Sequence, residues 1–182
     1  MDDKFWDEYA DANEARYNVE FARFISGLAA QLRCSTVLEI GCGTGIDLRL
    51  FPDPSLVRGI DPNAKALGMA RQKMPGATFE EGRIESLPLA DSSVDFVFTH
   101  KLLNYLDDDT LEKGMDEMLR VAAKYVVSCE LYAPGEGDID DRRKYRDIGK
   151  RWGSRQVRMV SNVDMHEDID PDKPRFVLVN KL

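Results

Sequence analysis

The residues best placed to do chemistry lie in the segment TVLEIGCGTGIDLRLF, residues 36–51. A β-branched apolar run there meets Gly41, Gly43 and Gly45, and a helical pattern follows. A glycine-rich turn between a strand and a helix lets the backbone approach a ligand closely. Gly41 permits the tight turn, Gly43 the approach, and Gly45 close packing of the helix. Asp61 lies 20 residues past Gly41, at the end of the next apolar run. A carboxylate at that offset accepts both hydroxyls of a ribose, or else caps the helix that begins after Pro62. A nicotinamide dinucleotide pattern needs its third glycine at position 46, where Ile46 stands. No G-x-x-x-x-G-K-[ST] occurs, which excludes a P-loop.

These residues must be positioned by an alternation of strands and helices. TVLEIG, LVRGID (Leu56 to Asp61), GATFEEG, SVDFVFTH (Ser93 to His100) and KYVVSCELY (Lys124 to Tyr132) have the length and composition of strands. Between them, IDLRLF reads as a short helix stopped by Pro52, and PNAKALGMARQKM as a longer one. The segment opened by Asp107 to Asp109 carries Leu111, Met115, Met118, Leu119 and Ala122 on one helical face. Glu14 to Arg33 reads as an amphipathic helix leading into the core. Strands too apolar to face water on either side require a parallel sheet covered by helices on both faces. RQVRMVSNVD and RFVLVNKL, with only a turn-rich link between them, read as a closing antiparallel pair.

At 182 residues the chain fits one domain, in which about 70% of the unfolded surface becomes buried. An acidic, aromatic N-terminus and the lack of a run of ~18 apolar residues argue against a signal peptide or membrane span, which places the protein in the cytoplasm. Three cysteines without C-x-x-C and two histidines give no disulfide framework and no metal site. The net charge of −8 disfavours binding to nucleic acid. One segment reverses the sign: Arg142, Arg143, Lys144, Arg146, Lys150, Arg151 and Arg155 face the single acid Asp147. Such a cluster either pairs with an anionic ligand or forms a solvated face neutralised by Asp138, Asp140 and Asp141.

The combination of VLEIGCGTG, GIDPNAKALGMAR and EGRIESLPLADSSVDFVFTHKLLNYL resembles the seven-stranded, Rossmann-like (class I) S-adenosylmethionine-dependent methyltransferases, over about Phe5 to Leu131. The resemblance implies a mostly parallel doubly wound α/β sheet with an antiparallel last strand between the fifth and sixth. It implies S-adenosyl-L-methionine as cofactor and no metal. Carried over, Glu39 orients the methionine end, Gly41, Cys42, Gly43 and Gly45 form the loop, and Asp61 takes the ribose beside Pro62 and Asn63. Family members usually have an aspartate where Arg83 stands, so the Ile84 backbone and Glu85 become the adenine contacts.

Transfer of a methyl group from a sulfonium needs in-line placement and exclusion of water, and a base only for an acceptor that carries a proton of high pKa. The residues just past the fourth and fifth strands are His100, Lys101, Asn104 and Tyr105, then Glu130 and Tyr132, of which His100, Tyr105 and Glu130 are the catalytic candidates. His100 is the first choice for base or for contact with the cofactor; a surface histidine capping the next helix is the alternative. Tyr132 and the arginines Arg142, Arg143 and Arg146 are the substrate-binding candidates. The block after the fourth strand lacks the [DN]-P-P-[YF] of base-amino methylases, so the expected substrate is a small anionic molecule, with no nucleic-acid or membrane partner and the oligomeric state open. Residues 1–33 then form an N-terminal helical cap and residues 132–155 a basic acceptor-side segment of one domain, 1–182.

A narrower resemblance links FWDEYADAN, the segment LLNYLDDDTLEKGMDEMLRVAAKYVVSCELYAPGEGDI and KYRDIGKRW to methylases associated with pseudaminic-acid biosynthesis, which implies a nonulosonic sugar as acceptor. Ala12 replaces an arginine of that family's N-terminal motif, which leaves Tyr9 or Arg16 to hold the cofactor carboxylate. Two further readings stay open: a non-catalytic cofactor-binding module that regulates a partner, and an aminopropyl-type transferase using Asp107, Asp108 and Asp109 for a polyamine.

Overall fold

The computed structural model describes residues 3–182, so the first two residues of the expected N-terminal cap lie outside the described residues. Seven strands form one sheet: β1 (Val37–Ile40), β2 (Val57–Asp61), β3 (Thr78–Glu81), β4 (Val94–His100), β5 (Ala122–Glu130), then β8 (Val157–Asp164) and β9 (Arg175–Lys181). The two-residue strands β6 (Gly137–Asp138) and β7 (Lys144–Tyr145) form a separate ribbon. The order is β3-β2-β1-β4-β5-β9-β8. β1 to β5 pair in parallel, whereas β9 runs antiparallel between β5 and β8. The sheet is therefore seven-stranded and mostly parallel, with its last strand antiparallel, as the sequence led us to expect.

Every residue of β1 is buried, which is the physical content of its unbroken apolar run. In β4, Phe96 and Phe98 pack into one core cluster and Val94 and Val97 into the other, and the register with β5 shifts between Val94 and Phe96 because β5 carries one extra residue there. The helices α1 (Asp3–Asp11), α2 (Val19–Gln31) and α3 (Ala64–Lys73) precede α4 (Asp108–Val121) and α5 (Ile148–Trp152). α2 and α3 cover the Phe96 and Phe98 face with Phe21, Ile25, Leu67 and Ala70. α4 and α5 cover the other face with Leu111, Met115, Met118 and Trp152.

Two local expectations change. The helix expected from Glu14 is divided, because Asn18 caps α2 by accepting the Glu20 and Phe21 N–H groups, so the chain before it is free to turn back as α1. IDLRLF forms only a 3-10 turn, Ile46–Leu48, since Pro52 follows before a second turn can close. The chain leaves β1 toward β2 and β3 on one side and β4 toward β5 on the other. The exits of β1 and β4 thus meet at the point where strand order reverses, where α/β sheets bind their ligands.

Candidate functional site

An open cleft of about 1410 Å³ lies over that point. Its floor is the glycine loop. Gly43 has a φ of +49°, and a Cβ there would come within 3.3 Å of Asn13 Nδ2, the buried amide that donates to Thr44 Oγ1 at 2.9 Å. At Gly45, with φ +71°, a Cβ would come within 3.1 Å of the Phe79 ring and 3.4 Å of Ala70, and the residue is absent from the cleft wall. It serves packing, as its place in the loop implied, rather than contact with a ligand.

The two carboxylates expected at the loop are where the strand ends put them. Asp61 accepts the Gly43 N–H through Oδ2 at 2.9 Å and the Asn63 N–H through Oδ1 at 2.8 Å. Burial raises its pKa against the pull of those two N–H groups. Glu39 is almost wholly buried at the exit of β1, with Oε2 lacking any partner. Burial, then the carboxylates of Asp47 and Asp61, push its pKa well up. A buried acceptor without a donor is costly, so this oxygen fits a ligand that brings a cation or N–H to the loop.

The sides of the cleft come from distant segments. α1 lies across it, held by Asn63 Nδ2 donating to Asp7 Oδ1 at 2.8 Å and by Lys65 with Asp11 at 2.7 Å. It presents Phe5, Trp6 and Tyr9, with the Trp6 ring 4.9 Å from that of Tyr105. The guanidinium of Arg16 stacks 3.9 Å over Tyr9, and that of Arg142 4.3 Å over Phe5. Arg143 lies 6.0 Å over Tyr105 and pairs with Asp140 at 2.7 Å. Tyr9, Arg16, Glu39, Gly41, Cys42, Gly43, Asp61, Pro62, Asn63, Arg83, His100, Tyr105, Arg142 and Arg143 thus share one cavity. Ile84 and Glu85 border a smaller adjoining pocket with Arg83. Glu85 is already engaged there, accepting from Arg83 Nε at 2.5 Å.

Four expected roles do not survive the geometry. His100 is no base: Nδ1 is 2.7 Å from Asp47 and Nε2 2.8 Å from Asp170, while the ring stacks 3.7 Å from Phe21. Burial would lower its pKa, yet the two carboxylates outweigh burial and hold it at about 9, so neither nitrogen has a lone pair to offer. Glu130 is fully buried and bonded to Thr99 Oγ1 and the Leu103 N–H, out of reach of any acceptor. Arg146 is 1% exposed, paired with Asp108 and bonded to the Leu106 carbonyl, so it supports the fold rather than a substrate. Tyr132 lies outside the cleft wall, under the guanidinium of Arg175 at 4.1 Å.

The basic run is likewise divided. Arg151 pairs with Glu112 and Glu136, and Arg155 with Glu112 and Asp116, which is the neutralised-face reading with different acids. Asp107 caps α4, Asp108 pairs with Arg146, and Asp109 with Lys113, so each of the three acids has a partner within the fold. Sequence reasoning missed Asp47, Asn13 and the Asp170–Asp172 segment, which line the cleft together with the expected candidate Lys101. Only Asp47, six residues past Gly41, gave a local signal. Among the described residues no group of three His, Cys, Asp or Glu side chains is arranged to hold a metal, and no helix is long and apolar enough to cross a membrane.

Comparison with known proteins agrees with this geometry. Residues 37–124 match the family model described as a methyltransferase domain. Over 86 residues the chain is 35% identical to the malonyl-[acyl-carrier protein] O-methyltransferase of Pectobacterium atrosepticum, covering 47% of this chain and 33% of that protein. The chain spans about a third to two fifths of the length of the first curated relatives it matches. Among solved structures, Streptomyces venezuelae DesVI superposes with a TM-score of 0.77 at 14% identity, over 96% of this chain and 98% of that one. Magnesium protoporphyrin IX methyltransferase from Synechocystis, solved with bound S-adenosylhomocysteine, gives 0.65 at 16% identity, over 90% and 84%. These structural likenesses establish the fold.

Proposed function

We propose that this chain, with a methyltransferase-domain match over residues 37–124 and the class I methyltransferase fold, transfers a methyl group from S-adenosyl-L-methionine to a small anionic acceptor. The observation that carries the reading is the convergence on one open cleft of Asp61, aligned by two backbone N–H groups, and the glycine loop with the orphaned Glu39 Oε2. Those residues fit the cofactor: Asp61 for the ribose hydroxyls, Gly41 and Gly43 for close backbone approach, Glu39 for the amino-acid end. When bound, it supplies an electrophilic methyl group on a positively charged sulfur.

The chain's own part is placement. α1 lies across part of the cleft with Phe5, Trp6 and Tyr9, rings that would limit water around the reacting atoms. Arg142 over Phe5 and Arg143, which also pairs with Asp140, bring guanidinium groups to the acceptor side that suit a carboxylate, while Arg16 over Tyr9 is left for the carboxylate of the cofactor. Tyr105, whose pKa burial raises, stays a hydrogen-bond donor there. An acidic sugar of the nonulosonic type carries the carboxylate such a lining pairs with, which is consistent with the narrower resemblance of KYRDIGKRW and its neighbours. We read residues 1–182 as one domain, in which 1–33 cap the cofactor and 132–155 build the acceptor side.

Calorimetry with S-adenosylhomocysteine tests the assignment. Wild-type protein should bind it, and Asp61→Ala should lose most of that affinity, about ten-fold or more for a lost charge-assisted pair. Unchanged affinity in the variant would overturn the reading.

A further inference from the structure

The base of the cleft gathers more carboxyl groups than cations. Glu39, Asp47, Asp61 and Asp170 all line it, and the cations in contact with them are His100 and Lys101. Lys101 is drawn outward, with Nζ 3.0 Å from Asp170 and 2.6 Å from Asp172. Two of these groups have an oxygen to which no donor is bonded, Glu39 Oε2 and Asp47 Oδ1, and the two carboxyls lie close enough that Asp47 helps to raise the Glu39 pKa. Both side chains are more than nine-tenths buried, and both border the cleft beside Gly41 and Gly43. Unpaired buried acceptors of this kind are retained where a ligand supplies the donors.

The cation class follows from the geometry. Two carboxylates from one strand exit and the turn after it supply acceptors on the same side of the loop, and a primary ammonium brings three N–H donors and one positive charge. A divalent ion asks for a wider oxygen shell than these two groups offer, and no such cluster exists among the described residues.

We propose that Asp47 is a direct ligand of the cofactor's ammonium group, paired with Glu39, and that His100 is the positioning residue that fixes it. Nδ1 of His100 holds Asp47 Oδ2 at 2.7 Å, so Oδ1 of the same carboxylate is turned away from the imidazole and kept free for the ligand. The ring is itself fixed on three sides: by Asp170 at Nε2, by the Phe21 face, and by the turn at Lys101, whose φ of 54° is left-handed. The segment that carries Asp170 is anchored in turn by Asn18 Nδ2 donating to the Ile169 carbonyl at 2.7 Å. The link between β8 and β9 thereby orients a ligand-binding carboxylate on the far side of the sheet's switch point.

This inference rests on the proposed function and is tested apart from it with two ligands. S-adenosylhomocysteine carries the amino-acid end, whereas 5′-methylthioadenosine has the same nucleoside and sulfur without it. In calorimetry, Asp47→Asn should weaken S-adenosylhomocysteine by about ten-fold or more and leave methylthioadenosine within about two-fold. Glu39→Gln, which keeps the side-chain shape, should show the same selectivity and serves as the second variant if Asp47→Asn fails to fold. Asp170→Asn, which weakens the hold on the imidazole and leaves Glu39 and Asp47 unchanged, should cause a smaller loss confined to S-adenosylhomocysteine. Nitrogen NMR of the His100 ring at pH 8 should give a doubly protonated signature in the wild type and lose it in Asp47→Asn. Asp47→Asn protein that keeps wild-type preference for S-adenosylhomocysteine, or loses both ligands equally, overturns the proposal. Wild-type protein that binds neither ligand overturns the function itself.

Discussion

His100 and Asp170 are 70 residues apart in sequence and 2.8 Å apart in space, and their contact latches the link between β8 and β9 onto the exit of β4. With Asp47 on its other nitrogen, the imidazole is the hub that ties three non-contiguous segments together at the base of the cleft.

That hub should make stability depend on pH on the alkaline side. The folded pKa of His100, about 9, is raised above the ordinary value of 6.5. Its contribution is therefore complete below about pH 6.5 and is lost as pH rises through 9. The shift corresponds to roughly 3 kcal/mol at most. Melting temperature followed from pH 6 to 10 should fall over that window in the wild type and fall less in His100→Gln, after allowance for the other titrating groups.

Asn13 fixes the N-terminal segment over the glycine loop through one buried bond to Thr44. Replacing it with alanine leaves the Thr44 hydroxyl unpaired at a cost of about 1 kcal/mol. Hydrogen exchange of residues 3–16 should quicken in Asn13→Ala while β1 and β4 keep their protection. Equal quickening throughout would mean that the bond supports the whole fold rather than the cap.

Gly45→Ala places a methyl group 3.1 Å from the Phe79 ring in a left-handed backbone. Both the conformation and the contact oppose it, so a loss of about 1–3 kcal/mol is expected in denaturant titration. Because Gly45 does not face the cleft, affinity for S-adenosylhomocysteine in the folded fraction should change little.

The arginines of the basic run should separate into two classes. Arg146→Met removes a buried guanidinium and leaves Asp108 and Glu136 without that partner, with an expected loss of stability of about 1–3 kcal/mol because the apolar side chain still fills part of the space. Arg143→Gln, half-buried at the cleft, should melt near the wild type but raise the KM for an anionic acceptor several-fold. Equal thermal effects in the two variants would refute the division.

The strand, glycine loop and helix of the first unit were legible because each depends on neighbours a few residues away. Asp61 could be located because strand and helix lengths fix its offset from Gly41. The tail also followed, since two alternating runs without a helix between them have only an antiparallel pairing available. The errors lie where one side chain's state is set by a distant one. His100 has the composition of a base and the surroundings of an imidazolium. Arg146 sits in a cationic run yet is sealed beneath Asp108 and Leu106. α2 starts at Val19 rather than at Glu14 because the Asn18 cap decides where that helix begins, and α1 lies in the part of the 1–33 cap where no separate helix was delimited.

By itself, then, the sequence determined the alternation of elements, the bare backbone at Gly41 and Gly43, and the carboxylates at the ends of β1 and β2, all consequences of local sterics and hydrophobic period. Only the tertiary structure decided which charges meet: Asp47 with His100, Asp170 with Lys101, Arg146 with Asp108. The reason is physical. Backbone geometry is set within a few residues, whereas the protonation and availability of a side chain depend on the fields and partners that folding brings from elsewhere in the chain.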